Sequence, residues 1–224
     1  IQMVPGTYLA PKICTWHRKY CIATTPYLLY KINMPRKPRQ HVPNAFYHVY
    51  NRGINKQNIF QDHQDRRIMY RYIGDSIDKY DSKIHAFCLM ANHYHLLAQT
   101  GDIPLGKFIH HFSSRYTRYF NKKYGRSGYL FESRYKGIIL DKEGYLLTLM
   151  RYIHLNPVRA KLVESPEDYQ WSSHNLYLNK SFLSWLTMNE IIEHFGKNNF
   201  KTKFLNFVMD SKSIITDTEK FYID

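Results

Sequence analysis

Ala91-Asn92-His93-Tyr94-His95-Leu96-Leu97 is the stretch from which the fold is read. Residues 83–90 before it are apolar and β-prone, and Met90-Ala91-Asn92 suits a tight turn, so 83–90 and 93–99 are expected to form one hairpin. Side chains alternate between the two faces of a strand. His93 and His95 therefore point the same way, and Tyr94 points the other. Two neutral imidazoles on one face make half of a metal site. A pair of half-buried strand histidines without chemistry is the plain alternative, and the short pattern alone does not separate the two.

Outward from the hairpin, the neighbouring segments complete a familiar order. Phe46–Gly53 is aromatic, β-prone and ends on glycine, as a first strand does. Residues 62–80 carry Ile68, Met69, Tyr72, Ile73, Ile77 and Tyr80 at helical spacing, with a start near Asp62. On the other side, 104–123 places Leu105, Phe108, Ile109, Phe112, Tyr116, Tyr119 and Phe120 on one helical stripe. Tyr129–Leu140 alternates toward a fourth strand. Residues 142–156 form a third helix that Pro157 is expected to stop. A helix-like stretch near 187–195 follows. The order β, α, β, β, α, β, α gives an α+β fold: a ferredoxin-like, split βαβ antiparallel sheet with helices on one face, plus a C-terminal helical extension.

Residues 1–33 contain no acidic residue and mix Pro5, Pro11 and Pro26 with scattered tyrosines. They read as an N-terminal extension, with Met34 as the natural start, a domain over 34–180, and an extension or tail over 181–224. The three cysteines, Cys14, Cys21 and Cys88, imply no disulfide framework, which suits a reducing cytoplasm, and Cys88 lies in an apolar run as a buried thiol would. No apolar run is long enough to span a bilayer.

Charge narrows the class of partner. The chain of 224 residues carries 32 Lys and Arg against 18 Asp and Glu, a net +14, together with 20 tyrosines. Cations neutralise phosphates and aromatic rings stack on unpaired bases, so the composition favours nucleic acid. Arg115, Arg118, Lys122, Arg126, Arg134 and Lys136 are the candidates for DNA contact, and only as a cluster. His110 and His111 sit beside them on the same basic helix, toward phosphate or solvent.

Tyr152 and Asn156 lie one helical turn apart on the third helix and project together. A tyrosine hydroxyl can attack a backbone phosphorus and form a phosphotyrosine link. A divalent ion on His93 and His95 would stabilise the charge that develops, with an oxygen or nitrogen donor as third ligand. Tyr116 and Tyr119 are rival nucleophiles, and Tyr152 as plain core packing is a further alternative. His154 is turned away around the helix from Tyr152.

His93-Tyr94-His95 resembles the HUH motif, two histidines about one variable position. Arg151-Tyr152-Ile153-His154-Leu155-Asn156-Pro157-Val158 is similar to the tyrosine helix of IS200-like transposases, in the branch associated with repetitive extragenic palindromes. Phe46–Gly53, Gly128–Lys136 and Trp171-Ser172-Ser173 resemble that branch too, so the likeness covers roughly residues 34–180. The resemblance implies a single-tyrosine, metal-dependent endonuclease and strand transferase acting on single-stranded DNA with hairpins, as a monomer or a homodimer. Tyr152 would be the nucleophile and leave a 5′-phosphotyrosine; His93, His95 and Asn156 would hold Mg²⁺ or Mn²⁺. Asn156 departs from the glutamine of many insertion-sequence members and fits the palindrome-associated branch. Two other readings stay open: a hairpin or single-strand binding module without catalysis, and a metal hydrolase that uses water.

Overall fold

The computed structural model of the chain describes residues 41–140, 144–179 and 183–210. The expected boundary at Met34 lies outside them. The described elements are β1 (Phe46–Arg52), α1 (His63–Tyr80), β2 (Ser82–Leu89), β3 (His93–Thr100), α2 (Leu105–Lys123), β4 (Lys136–Ile139), α3 (Gly144–Arg159), α4 (His174–Asn179), α5 (Asn189–Phe195) and α6 (Phe200–Met209). The strands form one antiparallel sheet in the order β2-β3-β1-β4. β3 thus lies between β1 and β2, which α1 connects, and this is the split βαβ arrangement expected from the sequence.

Alternation sorts the two faces. Tyr94 and Leu96 of β3, Val49 of β1 and Phe87 of β2 point to the layer made by α1 and α2, where Tyr70 meets Phe87 at 5.1 Å and Phe112 meets Tyr94 at 5.9 Å between ring centroids. The opposite face receives α3, which packs on β2 and β3. β2 is covered on both faces, and its run Ile84–Leu89 is accordingly buried without interruption. Cys88, within it, is fully buried.

The helical layer is locked at one end. Asp62 caps α1 in a reciprocal box with Asp65. Asp65 is buried and accepts from the backbone N–H of Gln61 at 2.7 Å, Tyr124 Oη at 2.8 Å, Tyr119 Oη at 3.0 Å and Lys123 Nζ at 2.7 Å. Burial alone would raise this carboxyl, but Lys123, the Gln61 N–H and the two phenols together hold it below the usual carboxylate range. The clamp joins the start of α1 to the end of α2.

Two expectations are revised. The fourth strand is shorter than Tyr129–Leu140: only Lys136–Ile139 pairs with β1. Residues 130–133 instead fold across the end of β1, where Ile54 N–H donates to Leu130 O at 2.9 Å, Glu132 N–H to Arg52 O at 3.0 Å and Asn51 Nδ2 to Ser133 O at 3.2 Å. Gly125 and Gly128, at φ of 62° and 86°, turn the chain into that path. Secondly, α3 does not stop before Pro157 but runs to Arg159. The ring removes one N–H, yet Ala160 N–H still reaches Asn156 O at 2.9 Å. The helix closes only where Lys161 turns left-handed at φ 55°, with Lys161 N–H donating to Val158 O and Leu162 N–H to Pro157 O. The expected C-terminal helical extension includes α6, whose Phe204 stacks on Tyr177 at 5.2 Å. Residues 171–173 and 187 also bond the outer edge of β2, through Leu89 N–H to Trp171 O, Ser173 N–H to Phe87 O and Thr187 N–H to Ile84 O.

Replacing Asp65 by Asn removes the charge that Lys123 and two phenols address and should lower stability by about 3 kcal/mol. Urea unfolding followed by circular dichroism measures this, and a loss below about 1 kcal/mol, the range of a surface pair, would show that the clamp is dispensable.

Candidate functional site

β1 and β3 pair so that His95 lies opposite Tyr50 and His93 opposite Arg52. Opposed residues share a face, and alternation adds His48 to it. The same row runs outward to Cys88 on β2 and to the exposed Lys136 on β4. The sheet face beneath α3 therefore carries a band of imidazoles and phenols.

α3 lays Tyr152 over this band. Its ring centroid is 5.5 Å from that of His95 and 5.7 Å from that of His48, edge-on to both. The His93 and His95 rings stand 5.0 Å apart and nearly perpendicular. Tyr152 and His95 are buried, at 7% and 1% exposure. Asn156 follows on the same helical face and donates from Nδ2 to Tyr152 O at 3.1 Å, which leaves its amide oxygen as the acceptor. Arg159, a further turn on, holds its guanidinium 5.1 Å from the centre of the Tyr152 ring.

The hydrogen bonds around His93 fix its tautomer. Asn92 donates from Nδ2 to Lys56 O at 3.1 Å, so its oxygen faces His93 Nδ1, 2.6 Å away. An amide oxygen can only accept, so Nδ1 carries the hydrogen and Nε2 keeps the lone pair. Burial, with Arg52 adding a smaller repulsion, lowers His93 to about 4. Burial lowers His48 to about 3, and burial with the neighbouring His48 and His93 holds His95 well below the ordinary range. All three imidazoles are neutral near pH 7. Among the described residues no group of three His, Cys, Asp or Glu side chains could hold a metal ion. A three-donor site here would need His93, His95 and an oxygen of another kind, and the Asn156 amide has the right chemistry for an Mg²⁺ or Mn²⁺ site completed by water and phosphate.

The rival tyrosines are placed elsewhere. Tyr116 is fully buried and donates to Ile59 O, and Tyr119 is held by Asp65, both in the helical layer behind the sheet. Tyr50 is the other phenol near the imidazoles, 5.9 Å from His95 between centroids. His154 turns away, with Nε2 2.7 Å from Ser173 Oγ. The cationic candidates fall into separate groups. Arg115, Arg118 and Lys122 sit on α2, behind the sheet; Arg115 pairs with Asp75 at 2.8 Å and lies over the Tyr72 ring at 4.3 Å. His110 is exposed, and the half-buried His111 has its Nδ1 2.8 Å from Ser76 Oγ of α1. Arg126 and Arg134 belong to the loop that crosses the end of β1, and Arg126 donates to Gln57 Oε1 at 3.1 Å. Lys136 alone shares the row of His95.

With this geometry in view, the chain can be set beside known proteins. The sequence model described as "Transposase IS200 like" matches residues 41–156, just over half of the chain. The chain belongs to the IS200-like transposase family. Its fold is shared with a REP-associated tyrosine transposase solved bound to a REP hairpin: the TM-score is 0.55 at 13% identity, covering 70% of this chain and 92% of that one. A transposase-like protein from Deinococcus radiodurans R1 aligns at 17% identity over 53% of this chain and 95% of that one, with a TM-score of 0.38. No curated protein matches this chain.

Three residues of this IS200-like transposase enter the site without having been singled out from the sequence. His48 and Arg52 were legible only as members of a β-strand, and the alternation of β1 puts both on the face of the paired histidines. Arg159 lies seven residues after Tyr152, and that spacing was hidden by the expectation that Pro157 ends the helix.

The neutral histidines make stability depend on acid. In the unfolded chain they titrate near 6.5; in the native protein His93 waits until about 4 and His48 until about 3. Between those values the unfolded chain binds more protons, so stability falls as pH falls. The midpoint of urea unfolding should drop steadily from pH 6.5 to pH 4. A midpoint that holds level through that window would show that the imidazoles are not kept neutral by the fold.

Proposed function

We propose that this chain is a metal-dependent tyrosine transposase and endonuclease that cuts and rejoins single-stranded DNA at hairpins through a 5′-phosphotyrosine intermediate. The observation that carries the reading is the edge contact, within one chain, between the Tyr152 ring and the imidazole of His95 at 5.5 Å. Family membership and a fold shared with a REP-hairpin-bound transposase support it.

In this reading Tyr152 Oη attacks a backbone phosphorus. The Oη–P bond forms, the bond from phosphorus to the 3′ oxygen breaks, and that oxygen leaves with a proton as a 3′-hydroxyl. Rejoining reverses the exchange: a 3′-hydroxyl attacks the phosphotyrosine and frees the phenol. Holding the strand covalently keeps the phosphodiester energy for the second step. His93, His95 and Asn156 hold Mg²⁺ or Mn²⁺, which when bound polarises the phosphoryl oxygens as a Lewis acid. Asn156, anchored to Tyr152 O, keeps nucleophile and ligand in one orientation on α3. Arg159, at the Tyr152 ring, offers a cation to the phosphate. Lys136, Arg134 and Arg126 follow the strand from the site and around the end of β1, while Arg118 and Lys122 provide a second basic surface behind the sheet, where Arg115 is taken up by Asp75 and Tyr72. The contact of Tyr152 with His95 within one copy supports cleavage by a monomer, with a homodimer as the other assembly proposed. No helix among the described residues is long and apolar enough to cross a membrane, and DNA in the cytoplasm is the substrate proposed.

The test uses a single-stranded oligonucleotide with a hairpin, Mn²⁺ and denaturing electrophoresis to follow a protein–DNA adduct. Tyr152→Phe should abolish the adduct, while Tyr50→Phe, Tyr116→Phe and Tyr119→Phe retain it. Chelation by EDTA should abolish cleavage and leave binding to the hairpin. An adduct that survives in Tyr152→Phe would overturn the nucleophile. Cut ends with no protein attached would favour water as nucleophile, and salt-sensitive binding without cleavage would leave a binding module.

A further inference from the structure

His48 is a histidine that the nuclease chemistry above does not use, yet it is the residue most closely joined to that site. It is fully buried on β1. Its Nε2 lies 2.9 Å from His95 Nδ1, and the two rings stack at 18° with centroids 5.2 Å apart. Its other edge neighbour is the Tyr152 ring, at 5.7 Å. The three rings of His48, His95 and Tyr152 close a triangle under α3.

A hydrogen bond between two neutral imidazoles has one hydrogen, and its placement decides what His95 can do. If His48 Nε2 donates, His95 Nδ1 is the acceptor, and the remaining hydrogen of a neutral His95 sits on Nε2. That nitrogen then has no lone pair to offer. If His95 Nδ1–H donates to His48 Nε2, the lone pair is on His95 Nε2. The neighbouring ligand supplies the precedent. His93 has its hydrogen fixed on Nδ1 by the Asn92 oxygen, and so exposes Nε2. With both Nδ1 atoms engaged by Asn92 and His48, the two rings can share a cation only through Nε2, which needs the same tautomer in each. Histidines that ligate metals do donate their second N–H to an outer partner, which fixes ring orientation and raises basicity.

We infer that His48 is a positioning residue that accepts the Nδ1 hydrogen of His95 and so presents His95 Nε2 to the divalent cation, as Asn92 does for His93. This rests on the proposed metal role of His93 and His95. It also gives the first strand a part in the site beyond pairing. The ring that sets the ligand also abuts the phenol, so ligand and nucleophile are aligned against a common support.

The experiment is Mn²⁺ binding by the full chain without DNA, followed by electron paramagnetic resonance. His48→Phe keeps an aromatic ring and removes the acceptor; it should weaken Mn²⁺ binding by about 10- to 100-fold. His48→Gln, whose amide oxygen can reach the position of Nε2, should recover most of the affinity. Hairpin binding in EDTA serves as the check on folding. Equal Mn²⁺ affinity in wild type, His48→Phe and His48→Gln would overturn the role of His48 while leaving the metal reading intact. No Mn²⁺ uptake by the wild type would overturn the metal reading first, and the inference with it. Proton–nitrogen NMR of the histidine rings in the metal-free wild type needs no variant. A hydrogen on His95 Nδ1 supports the inference, and a hydrogen on His95 Nε2 overturns it, even if His48→Phe does not fold.

Discussion

The register between β1 and β3 is the constraint on which the site depends. His95 lies opposite Tyr50 and His93 opposite Arg52 because every second residue of β3 must face the helical layer. Tyr94, Leu96 and Ala98 are buried there, and a slip by one residue would exchange them with the imidazoles. The end of the pairing is fixed as well. Gly53 N–H bonds Asn92 O at 2.8 Å, and a Cβ on Gly53 would lie 2.1 Å from Gln57 O. Glycine is required there by the close approach of Gln57 O, and the Gly53 N–H bond to Asn92 O holds the turn before His93 against the end of β1.

The same burial that fixes the strands tunes their chemistry. An imidazole under a helix has lost the water that would stabilise its cation, so it remains a neutral donor of an electron pair at ordinary pH. The bonds it retains are few and directional. Asn92 takes the outer nitrogen of His93, and His48 meets the outer nitrogen of His95. In the proposed reading, such neutral donors would leave room for water and phosphate oxygens to complete the shell of a divalent cation.

Net charge describes this molecule poorly until the charges are located. Lys123 lies in the same basic helix as Lys122, but it bonds Asp62 and Asp65 and serves the fold. Arg115 is paired with Asp75 and stacked on Tyr72. Lys136 shares the row of His95 and is exposed. Composition gives all of them one sign and one meaning; packing divides them between those that hold helices together and those left exposed.

The residues themselves determined a good deal. The apolar, β-prone run at 83–90 and the turn Met90-Ala91-Asn92 gave the hairpin, and period-two alternation gave the common direction of His93 and His95. Helical spacing gave α1, α2 and the shared face of Tyr152 and Asn156. Asp62 marked the start of α1 by its capping chemistry. These are local relations, set by backbone geometry within a few residues. What tertiary structure alone decided is which distant elements meet: Tyr152 beside His95, His48 beneath both, residues 130–133 across β1 rather than in a long β4, and Arg159 on a helix that continues past Pro157. The first three depend on contacts between segments far apart in the chain, where packing and the pairing of backbone groups outweigh the preference of any single residue.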